Sequence, residues 1–153
     1  ALTDYKGLNH RCQMQEIHGI WFVPDYASHP TCVSNDIAWI QARVQRIHVV
    51  YHPYRYSLMQ CHWDALGQAL ADADHVYLLP FDPCGETHID GIDSPSLAQN
   101  IENNGGHAQA FESFESTFEA VRQNLQSGDA LMIFAGHKAF ELGHEVCQKL
   151  SNK

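Results

Sequence analysis

Positive charge is scarce in this sequence. Nine Lys and Arg stand against eighteen Asp and Glu, a formal net charge of -9 over 153 residues. A general nucleic-acid binder needs surface that neutralises phosphates, so this balance excludes that class and leaves room only for a local anion site. Long apolar runs are missing as well. Nothing approaches the ~20 residues of a membrane span, and the opening ALTDYKG has no apolar signal core. Neither a nucleic acid nor a membrane is expected as a partner. The chain does not begin with Met, which reads as a domain excised or processed from something larger.

The usual motifs of self-sufficient chemistry are missing too. There is no GxxxxGK[ST] or GxGxxG to cradle a nucleotide, and no GxSxG nucleophile elbow. There is no CxxC or HExxH, so no metal site is expected. The five cysteines (Cys12, Cys32, Cys61, Cys84 and Cys147) are scattered and read as reduced thiols of a cytoplasmic protein. His144 and Cys147 lie three apart on an expected helix. They read as a surface His and a packing Cys.

What the sequence does contain is alternation. CQMQEI (12–17), His18-Gly19 and IWFV (20–23) read as a hairpin. Pro30-Thr31 opens a helix to about Arg43, striped by Val33, Ile37, Ile40 and Val44. Thr31 is the expected cap. A strand at 47–51, a helix at 58–71 and a strand at 75–81 follow. Then come a helix at 95–103 capped by Ser94, a strand at 108–111, a helix at 114–125, a strand at 130–135 and a helix at 138–150. The later strands are continuous apolar runs, as expected when helices cover both faces. The fold class is therefore α/β: a Rossmann-like, doubly wound, mostly parallel sheet of about six strands with an N-terminal hairpin. All 153 residues read as one domain.

Such sheets bind ligands at the carboxyl ends of their strands. That rule selects four loops: DYASHPT, HPYRYS, FDPCGETHIDGID and FAGHK. In the first, Asp25 and His29 suit ribose, phosphate or a metal-bound water, and Tyr26 and Ser28 suit hydrogen bonds to a small substrate. The alternative is a self-satisfied turn, with Asp25 bonding its own backbone and His29 packed on Pro30. In the second, Arg55 stands between Tyr54 and Tyr56, either as a bidentate ligand for a carboxylate or phosphate or stacked on a phenol. In the third, Glu86 reads as a partner for an ammonium or basic loop, or as a solvated carboxylate. No nucleophile and base stand paired, so no catalytic residue is assigned.

Five segments in order resemble the C-terminal domain of the Mur ligases. They are YKGLNHR (5–11), PDYASHPTC (24–32), HPYRYSL (52–58), DPCGETHIDGIDSPSL (82–97) and GDALMIFAG (128–136). The third and fourth favour the alanine-adding branch over the tripeptide-recycling branch. The resemblance implies an ATP-dependent amide ligase of peptidoglycan synthesis that works through an acyl phosphate. Its partners would be UDP-N-acetylmuramate, an amino acid or peptide, and its own upstream UDP-sugar and P-loop domains. ATP and Mg²⁺ would be bound mainly by those domains. Carried over residue by residue, Tyr26, Ser28, Tyr54, Arg55 and Glu86 would face the substrate. Arg11, Asp25 and His29 would face the nucleotide. The chain departs from the family pattern at Pro24, Ser28, Cys32, Tyr54, Leu58 and Phe134, where the family carries Asp, His, Glu, His, Arg and Gly. A paralogue with another amine acceptor, a non-ligating binding protein, and an unrelated nucleotide-binding α/β domain are the alternative readings.

Overall fold

The computed structural model describes residues 13–150. Strands β1 (Gln15–Ile17) and β2 (Ile20–Asp25) form the antiparallel hairpin. His18 and Gly19 turn it with both φ positive, at 51° and 80°. A two-residue hairpin turn of that kind matches the strand twist, and Gly19 adopts it without cost. Helix α1 (Pro30–Gln41), β3 (Ile47–Tyr51), α2 (Tyr56–Ala71), β4 (His75–Leu78), α3 (Ser94–Asn103) and β5 (Ala108–Ala110) follow. Helix α4 (Phe114–Asn124), β6 (Ala130–Phe134) and α5 (His137–Lys149) complete the fold. No helix among the described residues is long and apolar enough to cross a membrane.

The sheet order is β1-β2-β6-β3-β4-β5. Every pairing except the hairpin is parallel. The last strand therefore enters the middle of the sheet. It pairs Phe134 with Asp25 on one side and with Tyr51 on the other. All five residues of β3 and of β6 are buried, which is why both read as unbroken apolar runs.

Two cores result. Val33, Ile37 and Ile40 of α1 pack with Leu66 and Leu70 of α2 and Leu97 and Ile101 of α3 on one face. Phe118 and Val121 of α4 pack with Phe140, Val146 and Cys147 of α5 on the other. Gly143 lets α5 lie close to the sheet, because a Cβ there would stand 2.2 Å from Ile133 Cδ1.

Several ends fall differently from expectation. Helix α1 stops at Gln41, so Val44 packs from beyond its end. Its cap is His29 and not Thr31: the His29 Nδ1 accepts from the Thr31 amide at 3.3 Å. Asp93, not Ser94, caps α3, accepting from the Ser96 amide at 2.7 Å. Ser94 instead donates its hydroxyl to the Leu79 carbonyl at 2.7 Å, buried against the sheet. Strand β4 ends at Leu78 because Pro80 has no amide to continue the ladder. Helix α2 starts earlier than expected, at Tyr56.

Candidate functional site

Strands β2 and β3 send their chains to α1 and α2 on one face, while β6 between them sends its chain to α5 on the other. The loops separate at this reversal and leave a crevice at the carboxyl rim. A cleft of about 330 Å³ opens there, lined by Tyr26, Tyr51, His52, Tyr54, Asp82 and Cys84, with Ala135 and Gly136 among the others. Helices α1, α2 and α5 all begin at this rim, so their positive ends favour anionic groups.

The expected residues divide. Tyr26 and Tyr54 line the cleft, with Tyr26 43% exposed and set edge-on to Phe140. Asp25 is buried and accepts from the Ala27 amide at 2.6 Å, as in a turn that bonds its own backbone. Ser28 and His29 stand outside the lining. The His29 ring is edge-on to His62 at 4.7 Å, not packed on Pro30 alone. Arg11 lies outside the described residues.

Arg55 is exposed immediately beside Tyr54. Among the described residues no carboxylate stands within ion-pair distance of its guanidinium. Its backbone is unusual, with φ 59° and ψ 116° at the N-cap of α2. A side chain at positive φ is strained and persists only where its surroundings hold it. The holding group is the loop after β4. The Arg55 amide donates to the Asp82 carbonyl at 2.9 Å, and the Asp82 amide donates to Pro53 at 3.0 Å. Glu86 is committed within the chain. Its carboxylate accepts from the Ser57 amide at 2.8 Å and the Ser57 hydroxyl at 2.7 Å. Those two bonds, aided by the nearby Arg55 charge, hold its carboxyl below the usual glutamate range.

Several cleft residues carry no signal in sequence beyond their place in the rim loops. His52 is half-buried, edge-on to Phe114, and burial pushes its pKa down. Tyr51 is 1% exposed, and its hydroxyl has no hydrogen-bond partner among the described residues. At the opposite end of the sheet lies a polar group that the sequence did not announce. Asp129 accepts from Arg46 Nε at 3.1 Å, from the Gln126 amide at 2.8 Å and from His48 Nε2 at 3.2 Å. It is far from the cleft and knits β3, β6 and the turn between α4 and β6 together.

The sequence model of the Mur ligase, glutamate ligase domain family matches residues 10–137. The chain belongs to that family. The UDP-N-acetylmuramate--L-alanine ligase of Koribacter versatilis is 29% identical over 156 residues, covering 100% of this chain and 33% of that protein. Among solved structures, the UDP-N-acetylmuramate-alanine ligase of Thermotoga maritima superposes with a TM-score of 0.73 at 18% identity. It covers 99% of this chain and 32% of its own. A MurF ligase of Thermotoga maritima, solved in complex with ADP, superposes with a TM-score of 0.67 at 18% identity over 97% of this chain and 32% of its own. The chain thus spans about a third of the length of the curated relatives it matches.

Proposed function

We propose that this chain is the amino-acid-binding, nucleotide-closing domain of an ATP-dependent ligase. The ligase joins an amino acid, L-alanine in the first instance, to UDP-N-acetylmuramate. Family membership and the names of the curated relatives support the reaction class. The observation that carries the site is the cleft at the carboxyl rim: Tyr26 and Tyr54 line it, and Arg55, outside the lining itself, follows Tyr54 in the same loop as an exposed residue with no ion pair among the described residues.

In this reading Arg55 grips the carboxylate of the incoming amino acid, and Tyr26 and Tyr54 place its amine. His29 faces the nucleotide from the β2–α1 loop, and the buried Asp25 holds the turn of that loop through the Ala27 amide. The acyl group is activated as an acyl phosphate. The amine then attacks the acyl carbon, inorganic phosphate leaves, and the amine gives up a proton as the amide forms.

Among the described residues no group of three or more His, Cys, Asp or Glu is placed to hold a metal ion. The sequence also has no phosphate-cradling loop. ATP and Mg²⁺ are assigned to domains outside this chain, and no step is routed through them here. A cytoplasmic setting, where UDP-sugars are made, follows from this assignment.

The test is amino-acid-dependent phosphate release by the intact protein that carries this chain, supplied with UDP-N-acetylmuramate and ATP. All twenty amino acids and the murein tripeptide are offered. Release driven by L-alanine supports the reading as stated. Release driven only by another amine corrects the substrate, and silence with every amine rejects the ligase.

A further inference from the structure

Arg55 stands in a conformation that its own residue type does not favour. Something must impose it, and the contacts around it name what does. The segment 82–86 is an arch. The Cys84 amide donates to Asp82 Oδ1 at 2.8 Å, and the Glu86 amide donates to the Pro83 carbonyl at 2.9 Å. Cys84 and Gly85 between them both have positive φ, at 50° and 79°. The foot of the arch at Asp82 bridges Tyr54 and holds the Arg55 amide.

The other foot is Glu86, which reaches over the first turn of α2 and takes both donors of Ser57. Arg55 is the N-cap of that helix and has no side-chain cap bond of its own. The Glu86 carboxylate therefore does from a distant loop what a capping side chain does locally. It also sits within reach of the Arg55 charge without closing an ion pair on it. A third tie runs alongside, where the Tyr56 hydroxyl meets His88 Nδ1 at 2.8 Å. Arg55 is thus pinned on both sides, by Asp82 at its amide and by Glu86 two residues on, while its guanidinium stays open to solvent.

Resting on the reading of Arg55 as the carboxylate ligand, we propose that Glu86 is its positioning residue. Glu86 would act through Ser57 to fix where the guanidinium points, rather than by touching the substrate. This replaces the direct ammonium contact expected from sequence.

The experiment is a kinetic cycle on the intact protein. Wild type, Arg55→Ala, Glu86→Ala, Glu86→Gln and the double variant Arg55→Ala/Glu86→Ala are assayed for phosphate release across a range of L-alanine, with thermal melts alongside. Glu86→Ala is expected to raise the amino-acid KM about tenfold while kcat changes little, the pattern of a lost binding contact. Glu86→Gln keeps one acceptor for the Ser57 amide and is expected to recover most of that loss. In the Arg55→Ala background, Glu86→Ala is expected to add nothing to KM, because the group it positions is gone. A drop in Tm with KM unchanged, or losses that simply add, overturns the positioning role and leaves the ligase standing. No release by wild type with any amine overturns the ligase reading and this role together.

Discussion

His48 and Asp129 meet 3.2 Å apart with both side chains almost wholly buried. Arg46 closes on the same carboxylate at 2.8 Å from the solvent side. The Tyr77 hydroxyl takes the other His48 nitrogen at 3.1 Å, and the His75 ring stacks on His48 at 5.0 Å. Both His48 nitrogens and both Asp129 oxygens have partners, so the group tolerates burial only as a unit.

This cluster predicts a pH limb. Burial, opposed by Asp129 and reinforced by His75 and Arg46, lowers the His48 pKa to about 4. Its unfolded value is about 6.5. The unfolded chain therefore binds a proton that the folded chain refuses. The stabilisation is complete above about pH 6.5 and fades as pH falls toward 4, by about 3 kcal/mol in all. Urea melts between pH 4 and 7 should show this limb in the wild type and a flatter one in His48→Gln. Equal slopes would mean that His48 titrates normally.

Tyr51→Phe should cost nothing and can stabilise. The Tyr51 hydroxyl is buried without a partner among the described residues, and burial pushes its pKa up. Removing an unsatisfied buried hydroxyl relieves a penalty of roughly 1–3 kcal/mol, offset by packing left slightly loose. A gain of about 1 kcal/mol in chemical denaturation is expected. A loss of that size would show that the hydroxyl has found a partner in solution.

Gly143→Ala reverses the usual helix rule. In an open helix the change gains about 0.5–1 kcal/mol. Here the new methyl meets Ile133 at 2.2 Å and Phe22 at 3.1 Å, so α5 must lift off the sheet. A net loss of about 1–3 kcal/mol is expected from overpacking. An unchanged or raised denaturation midpoint would show that α5 does not lie this close.

Arg55→Ala tests the site directly. Losing one charged hydrogen-bonded contact to a carboxylate costs about 1.5–3 kcal/mol, or one to two orders of magnitude in affinity. Amino-acid KM should rise accordingly in the intact protein. The melting temperature should change little, since Ala keeps the same positive-φ backbone and Arg55 makes no ion pair among the described residues. Tyr26→Phe should act on the same parameter more weakly. No change in either would remove both from the substrate side of the cleft.

Periodicity and apolar runs are enough to place the helices and the buried strands, because they record burial directly. IHVVY and ALMIF are buried at every position. Caps were read less well. Thr31 and Ser94 have the right chemistry, but their neighbours His29 and Asp93 have the right backbone, extended at ψ 132° and 175°. Sequence names the type of residue at a helix start and does not fix which of two adjacent candidates makes the turn. The four rim loops were legible from topology alone, and Tyr26 and Tyr54 do share a cleft. The Ser57–Glu86 contact was not legible, since it joins the first turn of α2 to a loop 29 residues on by two hydrogen bonds and leaves no periodic trace. The same holds for His48 and Asp129, 81 residues apart.

The central place of β6 has a consequence for how the chain is made. Until residues 130–134 emerge, β2 and β3 face each other across an empty slot with their ladder edges exposed. A growing chain can build β3, β4 and β5 with their helices early, and α1 can pack on α2, but the hairpin has no strand of that sheet to pair with. Closure waits for a strand more than a hundred residues downstream of β2, a long-range step of the kind that slows folding. The cleft, which Phe134, Ala135 and Gly136 line together with Tyr26 and Tyr54, comes into existence only at that moment. Synthesis that stalls before β6 would leave two unpaired edges and no binding site at all.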